Sequence, residues 1–253
     1  MAYYSLTDVP SNFKEGIDWL LALKGDDPHH YLQAMGTALH DLLSRHYVGF
    51  TRLPALEKIK LISRKFLEEG GLKGQPFVKE LLERYKAPMS KNPEQLAKVF
   101  SRVDESDYKN VVRARRATPR SIAKNIGEVV DAAEKFLEGI KETDKYTNTY
   151  GSGATWIGSC ADDPEACAVV FVGIAPMLYA GLRSLQEASL DAQKEGPHSD
   201  AANRLGKMFK ALGYEERDCI DGLKASDIRK ALEGVNKQIL AIVYNIAGFW
   251  AFY

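Results

Sequence analysis

Residues 151–185 read GSGATWIGSCADDPEACAVVFVGIAPMLYAGLRSL, and the interpretation of this stretch decides both the fold and the compartment of the chain. No charged residue stands between Glu165 and Arg183. As a helix this uncharged run would extend for roughly 25 Å, whereas the hydrocarbon core of a bilayer is roughly 30 Å thick. Pro176 removes one hydrogen bond from such a helix, and apolar residues continue at helical spacing beyond Arg183. We therefore expect the buried helix of a folded core rather than a membrane span.

The two cysteines Cys160 and Cys167 stand at the start of this expected helix. Asp163 and Pro164 mark the helix start, so Cys160 lies in the preceding loop and Cys167 in the first turn. A local disulfide between them is sterically feasible, and buried free thiols remain the alternative. A zinc site would need two further ligands, and no paired motif accompanies Cys219, so no metal is expected. Because the cysteine count is odd, one thiol stays unpaired or pairs outside the chain, and Cys219 is unpaired if the local disulfide forms.

The spacing of apolar residues predicts helices along most of the chain, since apolar residues recur every three or four positions and strict alternation is scarce. The clearest helix is TPRSIAKNIGEVVDAAEKFLEGIKE, residues 118–142, with Thr118 as its cap and Pro119 at the first helical position. A second long apolar helix is expected at NKQILAIVYNIAGFWAFY, residues 236–253. The predicted fold class is all-α, a multi-helix bundle with two long apolar core helices.

A polar turn, KETDKYTNTYGSG at residues 141–153, is the best candidate for an internal boundary. It separates an N-terminal helical region, residues 1–145, from a C-terminal helical region, residues 146–253. We expect the two regions to pack as one domain. The other predicted helices fall within residues 11–25, 31–49, 53–71, 76–86, 92–103, 164–194, 200–212 and 226–233.

The composition limits the class of protein. The chain has 253 residues, of which 45% are apolar and 27% charged, and this charged fraction excludes a polytopic membrane protein. Lysine plus arginine equals aspartate plus glutamate, 34 against 34, so the whole chain has no net attraction to nucleic acid or anionic lipid. The N-terminal sequence lacks a basic region followed by an apolar run, so no conventional signal peptide is expected.

Motifs of catalysis and metal binding do not emerge from the sequence. The histidines His29, His30, His40 and His46 are close in sequence, but their spacing matches neither a metalloprotease helix nor a zinc finger. The one basic cluster, RARRATPRSIAK at residues 113–124, lacks interleaved aromatic residues. A solvated face or a glycan-contacting patch therefore explains it better than nucleic-acid binding. We expect no enzyme and no cofactor.

Three stretches resemble landmarks of one known family. SLTDVPSNFKEGIDWLLALKGDD, residues 5–27, is similar to the opening signature of the variant erythrocyte surface antigens of Babesia, which is close to Leu-Thr-Asp-Cys-Pro-Ser-Asn-Leu-Lys-Glu-Ala-Ile-Asp-Trp. Residues 151–185 resemble a second landmark, a Trp-Ile-Gly-x-Cys stretch that leads into an apolar helix, and ALGYEERDCIDGLKASDI at residues 211–228 resembles a third. The three occur in family order. The positions that match the opening signature are Leu6, Thr7, Asp8, Pro10, Ser11, Asn12, Lys14, Glu15, Ile17, Asp18 and Trp19.

The chain departs from the family pattern at Val9, where the family has cysteine. This departure removes a potential disulfide partner and leaves Cys219, or one of the other two cysteines, unmatched. Full-length members of the family are larger and carry a membrane span near their C-terminus. The chain thus resembles a truncated member or an N-terminal fragment, and membrane attachment is expected through a segment that this chain does not contain.

The resemblance implies export to the surface of the infected erythrocyte, antigenic variation, and adhesion to host endothelium. The partners that it implies are a host endothelial receptor and a second family subunit. No catalytic residues come with it. The alternative from another class is a soluble intracellular or exported helical scaffold or adaptor without an adhesive role, which the parasite cytoplasm would suit.

Overall fold

Helices form the regular structure of residues 2–99 and 103–253, which are the residues that the computed structural model describes. No β-strand occurs in these two ranges, so the all-α class predicted from the sequence is confirmed for them. Short 3₁₀ turns follow α11 and α12 below. The α-helices are α1 (Phe13–Lys24), α2 (Pro28–Arg45), α3 (Pro54–Leu67), α4 (Pro76–Lys86), α5 (Gln95–Val99), α6 (Glu105–Tyr108), α7 (Val111–Ala114), α8 (Pro119–Ile140), α9 (Trp156–Ser159), α10 (Pro164–Glu195), α11 (Asp200–Ala211), α12 (Ala225–Ala231), α13 (Lys237–Ile246) and α14 (Phe249–Phe252).

Several of the longer helices, among them α1, α8 and α10, begin where the sequence supplies a capping side chain, which satisfies a backbone N–H that the helix itself cannot pair. The helices α3 and α4 begin at a proline without such a cap. At the start of α1, the Asn12 side chain accepts a hydrogen bond of 3.0 Å from the backbone N–H of Glu15. Thr118 caps α8 and Asp163 caps α10 in the same way, each directly before a proline. These signals are local in the chain, and the observed starts of α1, α8 and α10 agree with the predicted ones. The helix expected within residues 31–49 was placed too late: α2 begins three residues earlier, at Pro28 after the Asp27 cap, and ends at Arg45.

The central helix of the fold is α10, which packs against α1, α2, α3, α11, α12 and α13. Every side chain from Cys167 to Leu178 is buried. Within the described ranges α10 is the one helix long and apolar enough to cross a membrane, and 83% of its most apolar window lies inside the protein. Close approach depends on two glycines, because a Cβ added at Gly173 or Gly181 would collide with Ile59 or Phe13. The uncharged run is thus a core helix in this structure.

The C-terminal segment differs from the prediction because Gly248 interrupts it. At this residue the backbone enters the left-handed region, with φ 64° and ψ 40°, which glycine adopts at little cost. The four residues of α14 then return to the core and are fully buried. The expectation of two long apolar core helices is therefore corrected: the described chain has one, α10, and its apolar C-terminal segment is divided into helices of 10 and 4 residues.

Other differences from the prediction concern short elements. The helices α6, α7 and α9 were not predicted, because four residues are too few to show a helical period. The helix expected within residues 92–103 begins later, at Gln95, and residues 100–102 of that prediction lie outside the described residues.

The helices α2 and α8 pack antiparallel. Gly36 of α2 faces Ala123 near the start of α8, and Leu32 faces Gly127 one turn further. With 22 residues, α8 is roughly 33 Å long. Helices from both sides of the predicted boundary at residue 145 contribute to one hydrophobic cluster, and the division into two regions stays a prediction.

Candidate functional site

Asp18, in the first landmark stretch, is fully buried and fully partnered. Its carboxylate accepts hydrogen bonds from Lys14 Nζ at 3.2 Å, from Tyr146 Oη at 2.5 Å and from the backbone N–H of Thr149 at 2.9 Å. Burial raises the pKa of Tyr146, and the neighbouring Tyr214 and Asp18 raise it further. All polar atoms of this cluster are engaged with one another, so Asp18 joins α1 to the polar turn and is not available to react with a ligand.

The three landmark stretches pack against one another in the tertiary structure. Trp19 Nε1 donates 2.8 Å to the carbonyl oxygen of Leu6, and the backbone N–H of Leu6 donates 2.9 Å to Ser159 Oγ in the second landmark. Tyr214 in the third landmark lies against Phe13, with the ring centroids 6.4 Å apart. Residues far apart in sequence therefore form one structural layer.

The predicted cysteine pair lies at the start of α10. Cys160 Sγ and Cys167 Sγ are at bonding distance, 2.02 Å, their Cα atoms are 5.8 Å apart, and both residues are fully buried. The structure therefore places the pair where a local disulfide forms; its oxidation state in the cell stays a prediction. Cys219 is not part of this pair and is only partly buried, and burial raises the pKa of its thiol to about 11. A thiol with this pKa is a poor nucleophile at neutral pH.

A groove with a volume of about 1140 Å³ opens between the end of α10, α11 and residues 215–228. Its floor includes Leu205, Phe209 and Tyr214, and Cys219 lies in its wall. Tyr214 Oη is buried without a hydrogen-bond partner among the described residues. The rim carries three carboxylates and three cations, so the groove has no preference for the charge of a ligand.

Two lysines hold the C-terminal segment in place. Lys60 Nζ donates 2.6 Å to the carbonyl oxygen of Phe252, and Lys91 Nζ donates 2.5 Å to that of Phe249 and also contacts that of Tyr253. Burial lowers the pKa of Lys91 to about 8. Carbonyl oxygens at a helix end lack partners within the helix, and these two ammonium groups supply donors to them at the end of α14. Sequence reasoning missed this contact because the partners are more than 150 residues apart.

A second buried polar cluster connects α4, α6 and α13. Arg84 Nη2 lies 2.9 Å from Asp107 Oδ2, and Tyr244 Oη donates 2.7 Å to Asp107 Oδ1. Burial raises the pKa of Tyr244 well above its ordinary value. Each charge of this cluster is balanced by a partner within it, which is the arrangement of a structural ion pair.

The histidines singled out in the sequence do not converge. His29 and His30 lie in the first turn of α2, His40 Nδ1 lies 3.2 Å from Asp41 Oδ1, and His46 follows the last turn of α2. Burial lowers the pKa of His46. No group of three or more side chains able to hold a metal ion occurs in residues 2–99 and 103–253.

The basic cluster lies on the surface where α7 meets α8. We define the basic corner as Lys109, Arg113, Arg115, Arg116, Arg120 and Lys124, all of which are exposed. The structure adds aromatic rings that the sequence of the cluster lacks: the Arg113 guanidinium carbon lies 4.4 Å from the ring centroid of Tyr47, and Lys109 Nζ lies 5.8 Å from that of Tyr108. Tyr47 is 66 residues away in sequence, so no local pattern could reveal this neighbour.

No family model, curated protein or solved structure matches this chain.

Proposed function

We propose that this protein is a non-enzymatic variant surface antigen of a parasite-infected erythrocyte, which takes part in adhesion to host cells and in antigenic variation. Its partners would be a host endothelial receptor and a second subunit of the same family. The proposal begins from the resemblance of three stretches to the variant erythrocyte surface antigens of Babesia.

The observation that carries the proposal is the packing of these three stretches into one layer. Trp19, Leu6 and Ser159 join the first landmark to the second, and the contact of Tyr214 with Phe13 adds the third. Stretches that share one packing role are expected to keep their sequence while exposed loops vary. A buried helical scaffold with variable surface loops suits an antigen that must change its appearance and retain its fold.

Surface exposure is the property that tests the proposal most directly. Intact infected erythrocytes are treated with added protease, and the protein is followed with an antibody raised against the purified chain. We expect the protein to be cleaved on intact cells, while a parasite cytoplasmic protein in the same sample stays whole. Full protection of the chain on intact cells, with cleavage after lysis, would overturn the proposal.

The same cells distinguish the second candidate, a soluble helical scaffold or adaptor inside the parasite. Disulfides persist in oxidising surroundings and are rare in a reducing cytosol. Alkylation before and after reduction, followed by mass spectrometry, counts the free thiols of the isolated protein. The surface proposal expects Cys160 and Cys167 to be oxidised and Cys219 to be free, whereas three free thiols would favour the intracellular scaffold.

A further inference from the structure

The basic corner is the strongest local concentration of one charge in the chain. From Lys109 to Lys124 the sequence contains six lysines and arginines and no aspartate or glutamate, although the whole chain balances 34 cations with 34 carboxylates. All six side chains are exposed. Outside these six residues 28 cations face 34 carboxylates, so anions are attracted to this corner and repelled by the net charge of the rest of the protein.

Contacts within the fold orient four of the six cations, among them Lys124, whose Nζ lies 3.8 Å from Glu128 Oε1. Arg113 Nε donates to the carbonyl oxygen of Ser44, and its guanidinium stacks on Tyr47. Arg115 Nη2 and Lys109 Nζ share the carboxylate of Glu105, at 2.9 and 3.0 Å. Glu105 thereby receives two cations for one negative charge, and the surplus at the corner stays positive.

The other arginines of the corner, Arg116 and Arg120, form no ion pair among the described residues. Arg116 has φ 51°, in the left-handed region where glycine is favoured, and it is the one non-glycine residue with positive φ in the described ranges. Residues held in such sparsely populated backbone regions cluster at functional sites and ligand clamps. Arg116 lies in the turn between α7 and α8, within the basic corner.

We propose that the basic corner binds the sulfate groups of a sulfated polysaccharide. A guanidinium presents two parallel N–H donors that match two oxygens of an oxoanion, and it is more weakly hydrated than an ammonium. Four of the six cations are arginines. Several fixed and several unpaired cations along one corner fit a ligand that repeats its negative groups along a chain.

The surroundings of the corner favour a sulfated polysaccharide over the two other polyanions that a protein meets. Single-stranded nucleic acid needs free aromatic faces on which bases stack, but cations already lie near the rings of Tyr47 and Tyr108. A membrane surface needs apolar side chains that insert. Beside Arg113, Tyr47 and Val48 are exposed, but residues 103–124, which carry all six cations, expose no large apolar side chain. Most of the corner thus offers charge and hydrogen-bond donors rather than insertion.

This inference rests on the proposed adhesive function only for its biological setting, and it names a ligand class for that adhesion. Its test uses the purified full chain and measures no property of infected cells. A failure here would remove the ligand class and leave the protease result on intact cells untouched.

The experiment measures binding of heparin, as the probe, to the parent chain and to three variants. Arg116→Gly removes the charge and relieves the positive φ, so its thermal midpoint should stay at or above that of the parent. Arg120→Gln removes a second unpaired cation. Arg217→Gln is the control, because Arg217 is exposed and lies away from the corner. Its neighbour Cys219 pairs with the backbone of Lys141, which follows the C-terminal end of α8. The basic corner lies at the opposite, N-terminal end of α8.

We expect each of the two corner variants to bind heparin about tenfold more weakly, the loss typical of one charge-assisted hydrogen bond. The control should bind like the parent, and desulfated heparin should bind none of them. Equal heparin affinity of the parent and both corner variants would overturn the inference. Tighter binding of the parent to vesicles with anionic phospholipid, or to a single-stranded oligonucleotide, at the same ionic strength would overturn it as well.

Discussion

At the scale of single residues, glycines determine how closely the helices approach, because they have no side chain. The Phe13 ring of α1 occupies the place that a Cβ at Gly181 would need, and Ile59 of α3 does the same at Gly173. The sequence shows these glycines inside an apolar helix, where glycine is usually unfavourable. It does not show which neighbour uses the space, because that neighbour comes from a distant part of the chain.

We predict that Gly181→Val lowers the free energy of unfolding by about 2–3 kcal/mol, since the added methyl groups must displace a fully buried ring. Urea denaturation measures the change. Gly206→Ala is the matched control: this glycine also lies in a helix, but no atom lies within 4 Å of the added Cβ. The control should gain about 0.5–1 kcal/mol. A valine at position 181 without loss of stability would contradict the packing described here.

Lys91 predicts a pH dependence of stability. Burial lowers its pKa from 10.5 to about 8, so between these two pH values the folded chain binds fewer protons than the unfolded chain. The free energy of unfolding contributed by this group therefore rises as the pH increases from about 8 to about 10.5. Below pH 8 both states are protonated, and the cost of burying the charge is present in full.

The comparison of the parent with Lys91→Met isolates this effect, because the variant lacks the titrating amine. We expect the parent to gain stability relative to the variant as the pH rises from 8 to 10 in urea titrations. The control Lys65→Met changes an exposed position of α3 and retains Lys91, so its stability should follow that of the parent at each pH. Parallel stability curves for the parent and Lys91→Met would contradict the burial of Lys91 against α14.

At the scale of elements, the start of α10 combines a capping Asp163 with the cysteine pair. The cap and the proline after it are local signals, and the helix starts where they stand. The break at Gly248 shows the opposite case, since its glycine lies inside an apolar pattern that continues on both sides. Whether such a glycine continues or ends a helix depends on the packing of the residues after it, here the burial of α14.

We predict that reduction of the Cys160–Cys167 bond lowers the free energy of unfolding by about 2 kcal/mol, the loop-closure entropy of a bridge over seven residues. Urea denaturation with and without reductant measures it. The double variant Cys160→Ser and Cys167→Ser should lose stability and no longer respond to reductant. Cys219→Ser should retain the response of the parent. An oxidised parent whose stability is unchanged by reductant would contradict the prediction.

At the scale of the whole molecule, the core joins the two regions on either side of residue 145. α10 packs against α1, α2 and α3, and α13 packs against α8. The three landmark stretches add polar links between the regions, among them the hydrogen bond from Leu6 to Ser159. The apolar surface of each region is therefore covered in part by helices of the other region.

We therefore predict that residues 1–145 and residues 146–253, expressed separately, do not fold on their own. Each should lack a cooperative thermal transition in circular dichroism and should show poor dispersion of amide signals in NMR. Mixing the two should restore both properties, because the buried faces of α10 and α8 then regain their partners. A cooperative transition of residues 1–145 alone would show two independent domains instead.

The sequence by itself determined the helical class, the starts of α1, α8 and α10 and the burial of an uncharged run, because these depend on the spacing of apolar residues and on side chains within one turn of each other. Only the tertiary structure decided what each buried face contacts. It brought Tyr47 to Arg113, Lys91 to the carbonyls of α14 and Trp19 to Leu6. Contacts of this kind depend on how distant helices pack, and a single sequence carries no local record of that packing.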